Sequence, residues 1–257
     1  MILHPNVKVN LGLHVLRRRG DGFHDIETVF LPCSAYSDTL EIVPSDRPEI
    51  VVKGPCYTGW NPLEDLSFRA WKLLSEELGA PPVRIELTKT SPAGAGLGGG
   101  SSDAAFTLKA VNEMFSLGLG ADSLEELASR LGSDCCFFVR NTPCFAEGRG
   151  EILSPAPSFA DGFELRVEIP ENEAVSTREA YSEVVPRELL ECEGMGLREA
   201  LACPVERWKD VLVNDFEPSV FRLHPAIGRL KESFYARGAV YASMSGSGAA
   251  VFGLWRR

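Results

Sequence analysis

The chemistry in this sequence starts at one crowded stretch. Residues 91–105 read SPAGAGLGGGSSDAA, and five of the seven positions from Gly94 to Gly100 are glycine. Glycine admits positive φ and lets the backbone come close to a ligand. Successive N–H groups in such a loop can converge on an anion. A helix starting there adds its unpaired N–H groups and its dipole to the same site. Ser101 and Ser102 are expected to cap that helix and offer hydroxyls, with Asp103 in its first turn. The stretch reads as a phosphate cradle made mainly of backbone.

Two common phosphate motifs compete for it and fail. No lysine follows a glycine here, so G-x-x-x-x-G-K-[ST] is absent. Gly94, Gly96 and Gly99 do satisfy G-x-G-x-x-G after a strand. The dinucleotide fold also needs a second parallel strand with an acidic residue at its end. The chain instead runs through LGADSLEELAS into another helix, so glycine density alone produces the match. A glycine-rich surface loop without a ligand is the plain alternative. The order of strand, loop and helix argues against it.

The elements around the loop follow from periodicity and punctuation. Val7, Val9, Leu11, Leu13 and Val15 alternate as one face of a strand. HDIETVFLPC, DTLEIVPS and PEIVVKG continue a β-rich first third. Residues 64–79 form the first helix, with Leu66, Ala70, Leu73, Leu74 and Leu78 at helical spacing. Residues 82–90 read as a strand, and a helix runs from about Ser101 to Phe115. A short helix over 123–131 is expected to carry Ser123 as N-cap and Glu126 as its capping-box partner. GSDCCFFV and CFAEGRGEIL suggest a short helix and two strands around a turn. FELRVEIP reads as a strand, and STREAYSEV as a helix capped by Ser176 or Thr177. Helices at about 196–203, 217–223 and 225–237 precede a closing strand, Ser/Gly loop and strand. PAPSFADG, residues 155–162, is the weakest join. The pattern is α+β.

Composition narrows the function classes. A chain of 257 residues can bury a substantial core, as one large domain or two small ones. A net charge of -10 disfavours nucleic acid and anionic membranes as partners. No stretch approaches the roughly 20 apolar residues of a membrane span. The basic run Arg17–Arg19 follows the N-terminal apolar stretch, the reverse of a signal peptide, so a cytoplasmic protein is expected. Cys33, Cys56, Cys135, Cys136, Cys144, Cys192 and Cys203 are odd in number and irregularly spaced. They form no C-x-x-C pair and are expected as free thiols rather than disulfides or zinc ligands.

The segment PAGAGLGGGSSDAA resembles the ATP-binding loop of the GHMP kinases, the superfamily of galactokinase, homoserine kinase and mevalonate kinase. The resemblance extends over nearly the whole chain and narrows within that superfamily. VKVNLGLHVLRRRGDGFHDIETVF is similar to the N-terminal block of the 4-diphosphocytidyl-2-C-methyl-D-erythritol kinase family, through Lys8, Asn10, Leu11, Leu13, Arg17, Arg18, Asp21, Gly22 and His24. LGSDCCFFV, AEGRGE, VSTREAY, NDFEPSVF and SMSGSGAAVFG resemble its later blocks. Three positions depart from the pattern: Phe23 replaces a tyrosine, Asp25 a glutamate, and Cys136 a common proline. Phe23 keeps a stacking surface and loses a hydroxyl.

The resemblance implies a two-lobed GHMP kinase fold. A ribosomal protein S5 domain 2-like N-terminal lobe is expected over 1–158 and a ferredoxin-like α/β C-terminal lobe over 159–257. It implies transfer of the ATP γ-phosphoryl to the 2-hydroxyl of a cytidine diphosphate-linked methylerythritol. The implied ATP loop is Pro92, Ala93, Gly94, Ala95, Gly96, Leu97, Gly98, Gly99, Gly100, Ser101 and Ser102. Asp134 is the implied general base and Lys8 its cationic partner. Without the resemblance, a helix cap and an exposed strand residue are their plain readings. His24 suits the polar edge of cytosine, Phe23 and Tyr181 its faces, and Asn10 substrate or phosphate. Ser245–Gly248 is expected as a second small-residue wall near the phosphates. Mg²⁺ is expected with ATP, and no pattern assigns its ligands. A monomer or weak homodimer is expected. Another small-molecule GHMP kinase, or a GHMP-fold binding protein without catalysis, is the alternative.

Overall fold

The alternating first third forms β1 (Ile2–Leu3), β2 (Asn6–Arg18), β3 (His24–Ser37), β4 (Thr39–Pro44) and β5 (Glu49–Lys53). These coordinates are a computed structural model describing residues 1–190 and 194–257. Cys192 lies outside the described residues. A 3-10 turn at Pro62–Glu64 leads into α1 (Leu66–Leu78), where the Asp65 side chain accepts from Ser67 N. β6 (Val83–Thr88) enters the glycine-rich segment, which opens α2 (Gly99–Met114). α3 (Ala121–Ser129), α4 (Cys135–Arg140), β7 (Cys144–Gly148), β8 (Ile152–Pro155) and β9 (Phe163–Glu168) follow. The rest comprises α5 (Thr177–Glu183), a 3-10 turn at Arg187–Leu189, α6 (Leu197–Ala202), α7 (Val205–Val211), α8 (Glu217–Leu223), α9 (Pro225–Ala236), β10 (Tyr241–Met244) and β11 (Val251–Arg256).

Several local expectations are corrected. α2 starts at Gly99 with Gly98 as its cap and no side-chain cap, so Ser101 and Ser102 already lie inside the helix. Asp103 falls beyond the first turn and is buried, because it faces the core side of α2, one turn before buried Thr107. α3 starts at Ala121 on Gly120, again without a side-chain cap, which puts Ser123 within the helix. α7 has no counterpart in the sequence reading. Pro204 stands at its N-cap, just after the C-cap of α6, and buried Trp208 anchors it. Ser176 caps α5 as expected, accepting from Glu179 N at 3.1 Å. Cys33, Cys56, Cys135 and Cys203 are free thiols.

The chain divides into two compact units that interleave along the sequence. The first comprises Met1–Lys8, Tyr36–Ala93 and Gly98–Thr142. Its sheet runs β1-β4-β6-β5, with β4 antiparallel and β5 parallel to β6. The pairs Leu40↔Leu87 and Ile42↔Ile85 place apolar residues side by side. Leu74 of α1, Leu108 and Val111 of α2, and Phe137 and Phe138 of α4 are all buried. Full burial of one such side chain is worth about 1.5–3 kcal/mol.

The second unit comprises Val9–Ala35, Gly94–Leu97 and Pro143–Arg257. It holds the sheet β2-β3-β7-β8 and the antiparallel sheet β10-β11-β9. Leu13, Val15, Ile26, Phe216, Val220, Ile227, Phe234 and Val251 share its core. β2 differs from the half-exposed strand its alternation suggests. Val7, Val9, Leu11, Leu13 and Val15 are buried as expected, and so are Lys8, Asn10 and His14 between them. The polar face of β2 is therefore interior, and every group on it needs a partner.

Candidate active site

In the first unit, Lys8 is 3% exposed. An ammonium so dry must be paired. Asp134 stands with Oδ2 at 3.4 Å from Lys8 Nζ, and its side chain keeps 32% of its surface open. Asp134 occupies the N-cap position of α4 without making a side-chain cap bond, so its carboxylate is not committed to the helix. Gly98 brings the glycine-rich segment onto this pair. It holds φ +70, and a Cβ there would lie 3.1 Å from Phe138 Cε2 and 3.2 Å from Lys8 Cε. The first amides of α2, at Gly99, Gly100 and Ser101, have no acceptor within the helix by position. A buried cation, a half-open carboxylate and a helix N-terminus thus share one neighbourhood.

Ser101 hydrogen-bonds the Cys135 thiol, which burial pushes up to about 12. Cys135 is a packing residue, not a nucleophile. Ser102 is buried, with no hydrogen-bond partner for its Oγ. Beneath α2 lies an ion cluster that the sequence reading missed. Lys89 Nζ donates to Asp38 Oδ2, to Asp103 Oδ2 at 2.6 Å and to Ser91 Oγ at 3.1 Å. Burial opposes the Asp38 charge, but Lys89 and the Ser91 donors outweigh it and hold that carboxyl low. Burial pushes Asp103 well above the usual carboxylate range, with Asp38 reinforcing and Lys89 opposing.

In the second unit, Gly94–Leu97 is held from the chain's last strands. Ser245 Oγ donates to Gly96 O at 2.9 Å, and Ala250 N donates to Ala95 O at 3.1 Å. Gly96 holds φ +78, and a Cβ there would lie 2.0 Å from Ser245 O, so glycine alone fits. The Ser245–Gly248 turn is itself clamped, since Asn214 Nδ2 donates to Met244 O and Gly246 O, each at 2.8 Å. Asn10 belongs to this scaffold. Its N–H donates to Ser245 Oγ at 3.2 Å and its Nδ2 to Thr28 Oγ1 at 3.1 Å. Thr28 and Asn214 gave no signal in the sequence beyond the motif blocks that contain them.

His24 and Tyr181, far apart in sequence, stack with ring centroids 4.8 Å apart and planes 23° apart. Tyr181 also meets Phe216 edge-on at 4.8 Å. Burial lowers the His24 pKa, Arg18 adds to this and Glu188 opposes, so the ring favours its neutral form. A neutral imidazole offers one donor and one acceptor beside an aromatic face. Phe23 is not part of this stack. It is 54% exposed, with the Arg149 guanidinium 4.9 Å over its ring. Nearby on β2, buried His14 holds Glu27 at 2.8 Å, and that bond lowers the Glu27 pKa.

The sequence matches the GHMP kinases N terminal domain over residues 65–142 and the GHMP kinases C terminal domain over residues 204–256. The fold agrees: the mevalonate kinase of Methanococcus jannaschii superposes with a TM-score of 0.68 at 15% identity, over 100% of this chain and 90% of that one. The class is that of the GHMP kinases. A crystal structure of 4-(cytidine 5'-diphospho)-2C-methyl-D-erythritol kinase superposes with a TM-score of 0.80 at 34% identity, covering 99% of this chain and 90% of that one. The 4-diphosphocytidyl-2-C-methyl-D-erythritol kinase of Bacteroides thetaiotaomicron is 48% identical over 99% of this chain and 92% of its own length. That of Nitratidesulfovibrio vulgaris is 40% identical, over 99% and 90%. The chain belongs to the 4-diphosphocytidyl-2-C-methyl-D-erythritol kinase family. No helix among the described residues is long and apolar enough to cross a membrane.

Proposed function

We propose that this enzyme transfers the γ-phosphoryl group of ATP to the 2-hydroxyl of 4-diphosphocytidyl-2-C-methyl-D-erythritol. The observation that carries the reading is the Lys8–Asp134 pair beside Gly98, at the start of α2. Phosphoryl transfer rests mostly on positioning and charge stabilisation. Asp134, partly open, accepts the proton of the attacking hydroxyl. Lys8, dry and fixed on β2, orients Asp134 and offsets charge on the transferring group. Residues Pro92–Ser102 receive the nucleotide phosphates on backbone amides. His24 and Tyr181 supply a polar edge and an aromatic plane for cytosine, and Phe23 adds a second exposed ring. Asn10 supports the phosphate loop through Ser245.

Magnesium accompanies ATP in this reading. Among the described residues no three His, Cys, Asp or Glu side chains are grouped to hold a metal ion. Magnesium bound with a nucleotide usually keeps several waters and takes phosphate oxygens with one or two carboxylates. Asp134 and Ser101 are the groups that would complete its shell, where it neutralises phosphate charge. We also propose a division into a nucleotide-loop domain over 1–158 and a C-terminal domain over 159–257. The two family matches fall one on each side of it.

The test is a product assay. Purified protein with ATP, magnesium and the diphosphocytidyl alcohol should yield ADP and the 2-phosphate. Phosphorylation of homoserine, mevalonate or galactose, with the cytidylyl compound untouched, would overturn the substrate assignment.

A further inference from the structure

None of the chemistry above uses Lys89, which is 3% exposed and stands directly before the glycine-rich segment. Its ammonium reaches Asp38 between β3 and β4, Ser91 at the loop entry, and Asp103 inside α2. Asp38 closes the other side. Its Oδ1 accepts from Thr90 N at 2.6 Å and Ser91 N at 2.8 Å, and its Oδ2 from Ser91 Oγ at 2.5 Å. Gly99, the first residue of α2, is seated on the cluster: a Cβ there would lie 2.3 Å from Ser91 Oγ and 3.5 Å from Lys89 Nζ. The whole arrangement lies within the first unit.

Such a cluster is a poor way to gain stability. Removing an ammonium and two carboxylates from water costs several kcal/mol per ion, and apolar side chains of similar volume often do as well. What ions give and apolar groups do not is a fixed geometry. Three segments are tied to one nitrogen: the β3–β4 junction, the loop entry and the second turn of α2. Asp38, with several donors, carries the negative charge that matches Lys89. Asp103 has one donor on Oδ2 and none on Oδ1, and burial raises its pKa well above the usual carboxylate range, against the pull of Lys89.

We propose that Lys89 is a positioning residue for the nucleotide: held between Asp38 and Asp103, it fixes where the Gly98–Gly100 turn presents its amides to phosphate. The proposal rests on reading Pro92–Ser102 as the nucleotide loop. It assigns Lys89 to ATP affinity and leaves the alcohol substrate to other residues.

The test titrates the full chain with Mg·ATP and, separately, with 4-diphosphocytidyl-2-C-methyl-D-erythritol in a calorimeter. The variants are Lys89→Met and Asp103→Ala, the second leaving the Lys89–Asp38 pair in place. Lys89→Met is expected to weaken ATP at least tenfold and Asp103→Ala at least threefold, each keeping the alcohol's Kd within twofold of the parent. Unchanged ATP affinity in a folded variant overturns the proposal, and so does parallel weakening of both ligands. If Lys89→Met does not fold, Asp103→Ala decides alone. If the parent binds ATP but not the diphosphocytidyl alcohol, the substrate reading falls and the ATP titrations still judge Lys89. If the parent binds no ATP, both fall.

Discussion

Gly98 is where the glycine-rich loop touches Lys8, and replacing it by alanine separates two effects that usually travel together. Gly98 holds φ +70, and an added Cβ would lie 3.1 Å from Phe138 Cε2, 3.2 Å from Lys8 Cε and 3.3 Å from Lys8 Cγ. Gly118 holds φ +75 with nothing within 4 Å of the same position. Both alanine variants carry the same left-handed strain, about 1–2 kcal/mol. For a chain of this size that lowers Tm by roughly 2–8 °C. Only Gly98→Ala also crowds its neighbours, which must give by a few tenths of an ångström. The Lys8 stem yields more readily than the buried Phe138 ring, so Nζ shifts against Asp134, its partner at 3.4 Å. A 1 Å misplacement near reacting groups costs about 100-fold in rate. The smaller shift here, about 0.3 Å, scales to about fourfold, or about 0.8 kcal/mol in the barrier. The assay is ADP release at saturating ligands, paired with melting curves. Gly98→Ala should lose about fourfold in kcat, and Gly118→Ala, with the same left-handed strain, should turn over normally. Equal kcat in the two variants refutes the contact between loop and lysine as a determinant of rate.

Asp134→Asn should bind both ligands and turn over about 10²–10⁴-fold more slowly, the range of a lost general base; near-normal turnover removes Asp134 from that role. His24→Ala should weaken the diphosphocytidyl alcohol and leave ATP binding intact, and equal weakening of both would move His24 out of the cytosine site. Because burial lowers its pKa, His24 stays neutral into mildly acidic solution. KM for the alcohol should therefore be flat from pH 8 to pH 6.5 and rise only below, whereas a rise centred above pH 6.5 contradicts this. Lys109 gives a stability prediction. Burial lowers it from 10.5 to about 8, so between these values the unfolded chain holds a proton that the folded one lacks. Stability attributable to Lys109 then increases as pH rises through this window, by at most about 1.4 kcal/mol per pH unit. Subtracting the profile of Lys109→Met isolates that slope from other titrating groups, and a flat difference from pH 8 to pH 10 is the contrary result.

Elements with a long or regular pattern were legible in the sequence. β2, α1, the α2 helix and the closing hairpin follow directly from spacing and punctuation. The loop's place was legible too, because a glycine run between a strand and small helical residues marks a turn into a helix. Lys8 and Asp134 were visible only through the resemblance. A lysine alternating with valines reads as solvent-facing on a half-buried strand, and β2 is buried on both faces. The Lys89 cluster was missed for a related reason. Asp103 was read as a first-turn charge because the start of α2 was placed at the serines, two residues late. With the start at Gly99, Asp103 lies in the second turn, one turn before buried Thr107. A charged residue on an apolar helix face, downstream of a lone lysine, is the signal that was available. The His24–Tyr181 stack joins residues 157 apart in number (181 − 24), which no local pattern encodes.

The hydrogen bond from Ser245 to Gly96 spans 149 positions of sequence. On a ribosome adding about 5–20 residues per second, that separation is roughly 7–30 s of synthesis. During this interval Gly94–Leu97 is already made while the strands that hold it do not yet exist. The clamp from Asn214 likewise waits for Met244 and Gly246. Assembly of the glycine-rich loop therefore waits until Ser245 and Ala250 have been made. A polypeptide cut short by even its final thirteen residues would lack Ser245 and the strand behind it. Such a fragment could hold Lys8 and Asp134 and still not seat the glycine-rich loop.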